Sequence, residues 1–334
     1  MEKTDIVFRH KLDKSTLRKL FWFRIGIFFI LLPWFLYFFG ILLEFVFGVN
    51  VEGIVKTFAN ILGEKGCVVM MVLFAMYTFS GLGIIPFLWL LSRYKFYLTN
   101  KTLEMMSEEY KWEYVFSVRS FDHPKSAKED WRIRELQEFN LYGNIPDASF
   151  CKVLIGNACK RKFCLDRMFL YLNDIDNLSS NNIDVKGVSV PVPQTPKSFF
   201  EGFILNTPAI KKIKNTILIK PKKFTFSKIK NLQKAEIDTQ GLFEIYTSNL
   251  QTLEQDLPQE FIFSLIDYAK NIDKKITLLI TPLGVLAIKK HTSWTGILSP
   301  VIFRTIKTQV IKEWQKHENF INLLELFNLL EKEK

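Results

Sequence analysis

Three cysteines fall within one short stretch, CKVLIGNACKRKFC at 151–164, the densest group of reactive side chains in the chain. A zinc site needs thiols or imidazoles repeated at close, paired spacings, and Cys151, Cys159 and Cys164 match no common pattern of that kind. The four histidines, His10, His123, His291 and His317, are scattered and none adjoins the cysteines. Reduced structural thiols are the expectation. Cys67, the fourth cysteine, sits apart in an apolar run. His291 is followed by Thr292 and Ser293, and an imidazole beside hydroxyls could activate a nucleophile if folding supplied an acid. A surface histidine is the plainer reading. No glycine-rich phosphate loop, HExxH or GxSxG accompanies it. The reading therefore assigns no catalytic, cofactor-binding or metal-ligating residues, with an enzyme of dispersed active site as an alternative.

Lysine carries the other chemical signal. Between Gly202 and Ala235 there is no Asp or Glu, yet Lys211, Lys212, Lys214, Lys220, Lys222, Lys223, Lys228, Lys230 and Lys234 all occur. Near an anionic leaflet each lysine contributes about 1 kcal/mol of attraction. Lys211, Lys212, Lys214, Lys220, Lys222 and Lys223 are the candidate membrane-surface contacts, and a set of solvated loops is the plain alternative. Nucleic-acid binding asks for aromatic rings between the basic residues. Only Phe224 and Phe226 interleave, so nucleic acid is not the expected partner. Overall charge is +11, from 45 Lys+Arg against 34 Asp+Glu, which favours anionic neighbours. Abundant Lys, Asn, Ile and Phe also fit an AT-rich coding bias.

Two apolar runs determine where such a surface would be placed. Residues 25–43 read IGIFFILLPWFLYFFGILL and residues 67–92 read CVVMMVLFAMYTFSGLGIIPFLWLLS, neither with a charged residue. Each approaches or exceeds the roughly 20 residues that cross a ~30 Å hydrocarbon core. The first run is too long for the apolar part of a cleaved signal peptide and no small-residue cleavage site follows. The sequence thus predicts a two-helix transmembrane hairpin over 21–92, with helices at about 21–47 and 67–92. Lys3, Arg9, Lys11, Lys14, Arg18 and Lys19 precede it, Arg93, Lys95 and Lys101 follow it, and only Lys56 and Lys65 lie between. The positive-inside rule then puts both termini in the cytoplasm of a multi-pass inner-membrane protein. Without a central ionisable group the pair reads as an anchor rather than a transporter.

Beyond the hairpin, strand-like content marks 94–100 and 111–118, and 128–139 (KEDWRIRELQEF) reads as a charged helix with Trp131, Leu136 and Phe139 inward. Short strands are expected at 152–155 and 169–172, and Lys160, Arg161 and Lys162 as a solvated turn. The polar stretch at 173–182 and PVPQTP at 191–196 read as linker. Strands are then expected at 199–205, 215–220 and 243–247, and a helix at 258–271 with Phe261, Ile262, Leu265 and Tyr268 on one face. Residues 276–281 and 285–289 flank Pro282-Leu283-Gly284, a hairpin in which glycine would take a left-handed position. A last helix is expected over 300–331, inward at Ile302, Ile306, Val310, Trp314, Ile321 and Leu324. The fold class is α+β: the transmembrane hairpin, then a cytoplasmic antiparallel sheet packed with helices. The expected segments are a basic N-terminal stretch at 1–20, the hairpin at 21–92, an ill-defined region at 93–190 and the α+β domain at 191–334.

The succession FEGF at 200–203, ILIKP, FEIYTSN, LPQEFIFSLIDYA and KITLLITPLGVLAIKK resembles the bacterial membrane family of domain of unknown function 3137, over roughly 199–303. Two membrane helices ahead of such a domain also resemble that layout. YKFYLTNKTLEMMS after the second run is fainter in its likeness to bacterial pleckstrin-like membrane proteins. The resemblance implies a membrane-anchored layout and transfers no catalytic residue, cofactor or substrate. The expected function is a non-enzymatic interaction module, a scaffold or regulator at the inner face of a bacterial membrane. Its expected partners are membrane lipids, through an anionic leaflet surface, and an unassigned protein. A lipid- or nucleic-acid-binding module using the lysine segment is a further alternative.

Overall fold

The computed structural model describes residues 15–28, 84–116, 126–143, 145–172, 181–185, 188–192, 198–222, 228–290 and 305–331. The chain divides into two compact units, one of Met1–Thr102 and Ser293–Glu313, the other of Leu103–Thr292 and Trp314–Lys334.

In the first unit, residues 15–28 form helix α1. It meets the first part of helix α2 (Ile84–Tyr110). Thr16, Leu20 and Ile27 recur at helical spacing and are buried, as are Leu91, Tyr94 and Leu98 of α2. The pairing is antiparallel: the Tyr97 hydroxyl donates to Thr16 Oγ1 at 3.4 Å, and ten residues on, Gly26 lies against Leu90. A Cβ on Gly26 would come within 3.2 Å of Leu90 Cδ1, so the missing side chain sets how closely the helices approach. Helix α6 (Ile306–Ile321) supplies Gln309, which accepts from the buried Tyr94 hydroxyl, and Glu313, which accepts from Thr99 Oγ1 at 2.9 Å.

Among the described residues no helix is long and apolar enough to cross a membrane. The transmembrane hairpin is not found, and the multi-pass inner-membrane placement that rested on it falls with it. The apolar runs at 25–43 and 67–92 lie largely outside the described residues. Where the second run is described, it does not stop at Ser92. It continues as one helix to Tyr110, taking in Arg93, Lys95, Lys101, Glu104, Glu108 and Glu109. The strand expected at 94–100 is therefore helix. Its aromatic content reflects burial of Tyr94 and Leu98 on one helical face, a pattern that a short window cannot separate from a strand. Lys111 ends α2 in the left-handed region at φ 55°, and Trp112 N–H reaches back to the Ser107 carbonyl at 2.9 Å.

Among the described residues the second unit is built on a nine-stranded antiparallel sheet. Its strands are β1 (Glu113–Tyr114), β2 (Asp147–Ala158), β3 (Arg161–Tyr171), β6 (Ser198–Pro208), β7 (Ile217–Pro221), β8 (Gln233–Ala235), β9 (Phe243–Thr247), β10 (Ile276–Thr281) and β11 (Gly284–Lys290). Their spatial order is β1-β2-β3-β6-β11-β10-β7-β9-β8. Strands β4 (Asn181–Val185) and β5 (Val188–Val192) pair with each other, inside the connection from β3 to β6. Because β3 pairs with β6, a single sheet draws on both sides of the boundary expected near residue 190.

One sheet face carries helix α3 (Trp131–Glu138). Asp130 caps it by accepting from Arg132 N–H at 2.9 Å, and Asn140, at φ 55°, closes it with Leu141 N–H on the Leu136 carbonyl at 3.0 Å. Ile133, Leu136 and Phe139 pack with Met168, Leu170, Phe200, Ile204, Leu279, Leu286 and Ile288. Each such aliphatic or aromatic burial is worth about 1.5–3 kcal/mol. Trp131, expected inward, is half-buried against this cluster and covers Gly284, where a Cβ would lie 2.9 Å from its ring and 3.2 Å from the Thr207 carbonyl. That close approach, and not a left-handed backbone, is what Gly284 serves, since its φ is not positive. Gly202 is tighter still: a Cβ there would sit 2.6 Å from the Lys289 carbonyl across the ladder.

The opposite face bears Phe203, Leu205, Ala287, Leu278 and Ile219, set by register. Helix α4 (Leu253–Asp256) is a single turn ahead of α5 (Gln259–Asn271), where Phe261, Ile262, Leu265 and Tyr268 are buried as the spacing predicts. The expected last helix is two, α6 and α7 (Leu323–Leu329), parted at Asn322. The Tyr268 hydroxyl donates to the Asn319 carbonyl at 2.9 Å, and His317 meets the Phe203 ring edge-on at 4.9 Å, which fixes the part of the chain around 317–319 on α5 and on this face.

Candidate functional site

The lysine segment does not form one patch. Lys211, Lys212 and Lys214 are exposed in the connection from β6 to β7, while Lys222 is exposed just past the other end of β7. Five strand residues separate the two groups, roughly 16 Å at the usual rise. Lys220 lies between them and is corrected as a surface contact: it is 7% exposed, and its ammonium pairs with Glu244 at 2.6 Å. Strand alternation turns Lys220 toward the α3 face, opposite Glu244 on β9. Lys234 closes the same carboxylate from β8 at 2.8 Å, and the two lysines hold Glu244 down to about 2. Lys223, Phe224, Phe226, His291, Cys67 and the prolines at 193 and 196 lie outside the described residues.

What gathers beside Lys211 and Lys212 comes from distant sequence. Pro208 is directly tied to the β2–β3 hairpin: the Arg161 guanidinium donates to its carbonyl at 3.2 Å, and Thr207 Oγ1 donates to the Lys162 carbonyl at 2.8 Å. The exposed lysines Lys160 and Lys162 therefore stand next to the β6–β7 connection that carries Lys211, Lys212 and Lys214. On the other side, Gly284 pairs with Pro208, bringing the exposed hairpin tip Pro282-Leu283 alongside. Five exposed lysines and one exposed leucine thus share one end of the sheet. Lys160 and Lys162 were readable only as a local turn, because hairpin register, not sequence proximity, makes them neighbours of residue 208.

That hairpin tip is held in a costly shape. Cys159 and Lys160 connect β2 to β3 with φ values of 50° and 64°, the mirror-image two-residue turn that asparagine and glycine favour. Helix α7 and the residues just past it brace the turn: Asn328 Nδ2 donates to the Cys159 carbonyl at 2.8 Å, and Glu331 pairs with Arg161 at 2.7 Å. The turn expected to be wholly solvated therefore has a buried arginine at its end.

Adjacent residues of β3 place opposite charges on opposite faces. Asp166 pairs with Arg132 beneath α3, and the guanidinium lies 3.8 Å from the Phe150 ring centre. On the other face Arg167 donates through Nε to Glu201 at 3.0 Å. The Arg132–Asp166 pair ties α3 to β3, and the Arg167–Glu201 pair ties β3 to β6. The thiols nearby are poor nucleophiles. Burial, then the Asp166 carboxylate, pushes Cys164 up to about 12, and burial also raises Cys151 and Cys159. Among the described residues no group of three His, Cys, Asp or Glu is placed to hold a metal ion.

No protein-family model matches the chain, and no curated protein matches it. Among solved structures it is similar to the crystal structure of the mycobacterial trehalose monomycolate transport factor A, TtfA, at 9% identity and a TM-score of 0.33. That likeness covers 68% of this chain and 95% of the other, and at such a score it bears on neither fold nor function.

Proposed function

We propose that the sheet unit is a non-enzymatic interaction module that holds an anionic membrane surface against one end of its strands. The observation that carries this reading is the convergence of Lys160, Lys162, Lys211, Lys212 and Lys214 at one end of the sheet, on the β2–β3 hairpin and the neighbouring β6–β7 connection, all exposed. Leu283 at the neighbouring tip is 57% exposed, an apolar side chain placed to enter the headgroup layer beside the lysines. Coulomb attraction supplies the affinity, and the pairing of β3 with β6 sets the two lysine-bearing segments side by side. The sequence likeness to the family of domain of unknown function 3137 supplies no reaction, cofactor or substrate to this proposal.

Cosedimentation of the full chain with phosphatidylcholine vesicles, with and without phosphatidylserine, tests the reading. An increment of binding on adding phosphatidylserine that falls as salt rises and is largely lost on Lys211→Ser/Lys212→Ser/Lys214→Ser supports it. Equal binding to both vesicle types, or none at low salt, overturns it. A single-stranded oligonucleotide that displaces the chain from vesicles and binds it more tightly would also overturn it, in favour of a nucleic-acid surface.

A further inference from the structure

A different surface, on the first unit, carries a separate inference. Helix α1 buries Thr16, Leu20 and Ile27 toward α2, and its other side is not the polar face an ordinary surface helix presents. Leu17, Phe21, Ile25 and Phe28 follow one another at helical spacing along that outer side, with Trp22 beside them. Phe21, Trp22 and Phe28 are 55%, 62% and 59% exposed, and Trp89 of α2 is 56% exposed. Large aromatic side chains at this exposure mark a surface that meets something other than water.

Charge indicates what that something is. Residues 15–28 and 84–102 contain Arg18, Lys19, Arg24, Arg93, Lys95 and Lys101 and no Asp or Glu. The Arg93 guanidinium sits 5.7 Å from the Trp89 ring centre, and the Lys19 ammonium 5.8 Å from that of Tyr97, so cations are interleaved with rings. Aromatic rings prefer the boundary between headgroups and acyl chains, and lysine and arginine reach from that depth to phosphate. We infer that the outer face of α1, with Trp89 and Arg93 of α2, lies in the interface of a phospholipid bilayer, parallel to its plane. A protein partner of the same fit would need an acidic, apolar groove. A bilayer supplies phosphate and an apolar layer together along the full helix.

The inference goes beyond the lysine reading and fails separately from it. Binding through buried rings persists in phosphatidylcholine and at high salt, whereas the sheet-end lysines act only on anionic lipid at low salt. Full-length wild type and Phe21→Ser/Trp22→Ser/Phe28→Ser are compared by cosedimentation with phosphatidylcholine vesicles at high salt. The variant is expected to bind at least about tenfold more weakly, with its phosphatidylserine-dependent increment intact. Brominated phosphatidylcholine added to wild type gives a readout independent of the variant's folding. Quenching of tryptophan emission is expected, and Trp22→Phe and Trp89→Phe should each reduce it. Absence of quenching, or unaltered high-salt binding by the triple variant, overturns the inference. So does a wild-type dimer that dissociates on Trp22→Ser while vesicle binding stays unchanged, which would make this face a contact between two copies of the chain.

Discussion

Replacing Lys211, Lys212 and Lys214 with serine isolates the electrostatics of one sheet end. All three are exposed in the β6–β7 connection, so the substitutions leave the core untouched. At about 1 kcal/mol per lysine close to an anionic leaflet, the variant loses about 3 kcal/mol, or on the order of 150-fold in affinity for phosphatidylserine vesicles. Lys222 is the internal control. It belongs to the same run in sequence, but β7 carries it roughly 16 Å away, about two Debye lengths at physiological salt. Lys222→Ser should therefore change affinity by less than about twofold. Vesicle cosedimentation titrated at several salt concentrations reads both, and the wild-type curve should collapse onto the triple variant's as salt rises. If Lys222→Ser weakened binding as much per lysine as the triple variant does, composition and not placement would govern, and the reasoning would fail.

The β2–β3 turn should be improvable: Cys159→Asn with Lys160→Gly suits both left-handed positions and is expected to raise stability by about 1 kcal/mol, seen as a melting temperature some 2–4 °C higher. Glu244 is depressed to about 2 by Lys220 and Lys234, so the stability it lends is complete above its ordinary range near 4.5 and disappears as pH falls toward 2. Glu244→Gln should cost about 1 kcal/mol at neutral pH, after allowing for solvent screening, and flatten the loss between those limits in acid-denaturation curves. Arg132→Met leaves the Asp166 carboxylate buried with its guanidinium gone and should cost about 3–5 kcal/mol in urea unfolding, against under about 1 kcal/mol for exposed Arg134→Met.

Periodicity carried the hairpin of β10 and β11 and the inward face of α5, because both patterns are local and both elements bury one side completely. It failed over 94–100, where burial of Tyr94, Leu98 and Thr99 on a helix imitates strand content. Gly284 was legible as required but not for the right reason, since its neighbour Trp131 lies far away in sequence. The surface lysines were legible by type. Their division by β7, the withdrawal of Lys220 into a pair with Glu244, and the addition of Lys160 and Lys162 all depend on register between distant strands. No spacing rule along one chain contains that information. The buried Asp166 and Arg167 were invisible for the same reason, since their partners lie on α3 and β6.

The strand order has a consequence for how the chain is made. On one side β6 pairs with β3, which precedes it, but on the other side it pairs with β11, where Gly284 meets Pro208. At a synthesis rate of about 5–20 residues per second, several seconds separate the emergence of these two strands. Until β11 arrives, an eleven-residue strand that includes Phe203, Ile204 and Leu205 has one row of backbone groups without its native partner. Long-range closure of this kind is slow, and an open apolar edge invites pairing with other chains. A ribosome stalled before residue 284 would therefore hold the half-sheet at its most aggregation-prone, and a chaperone that covers sheet edges would act on this nascent chain in that interval.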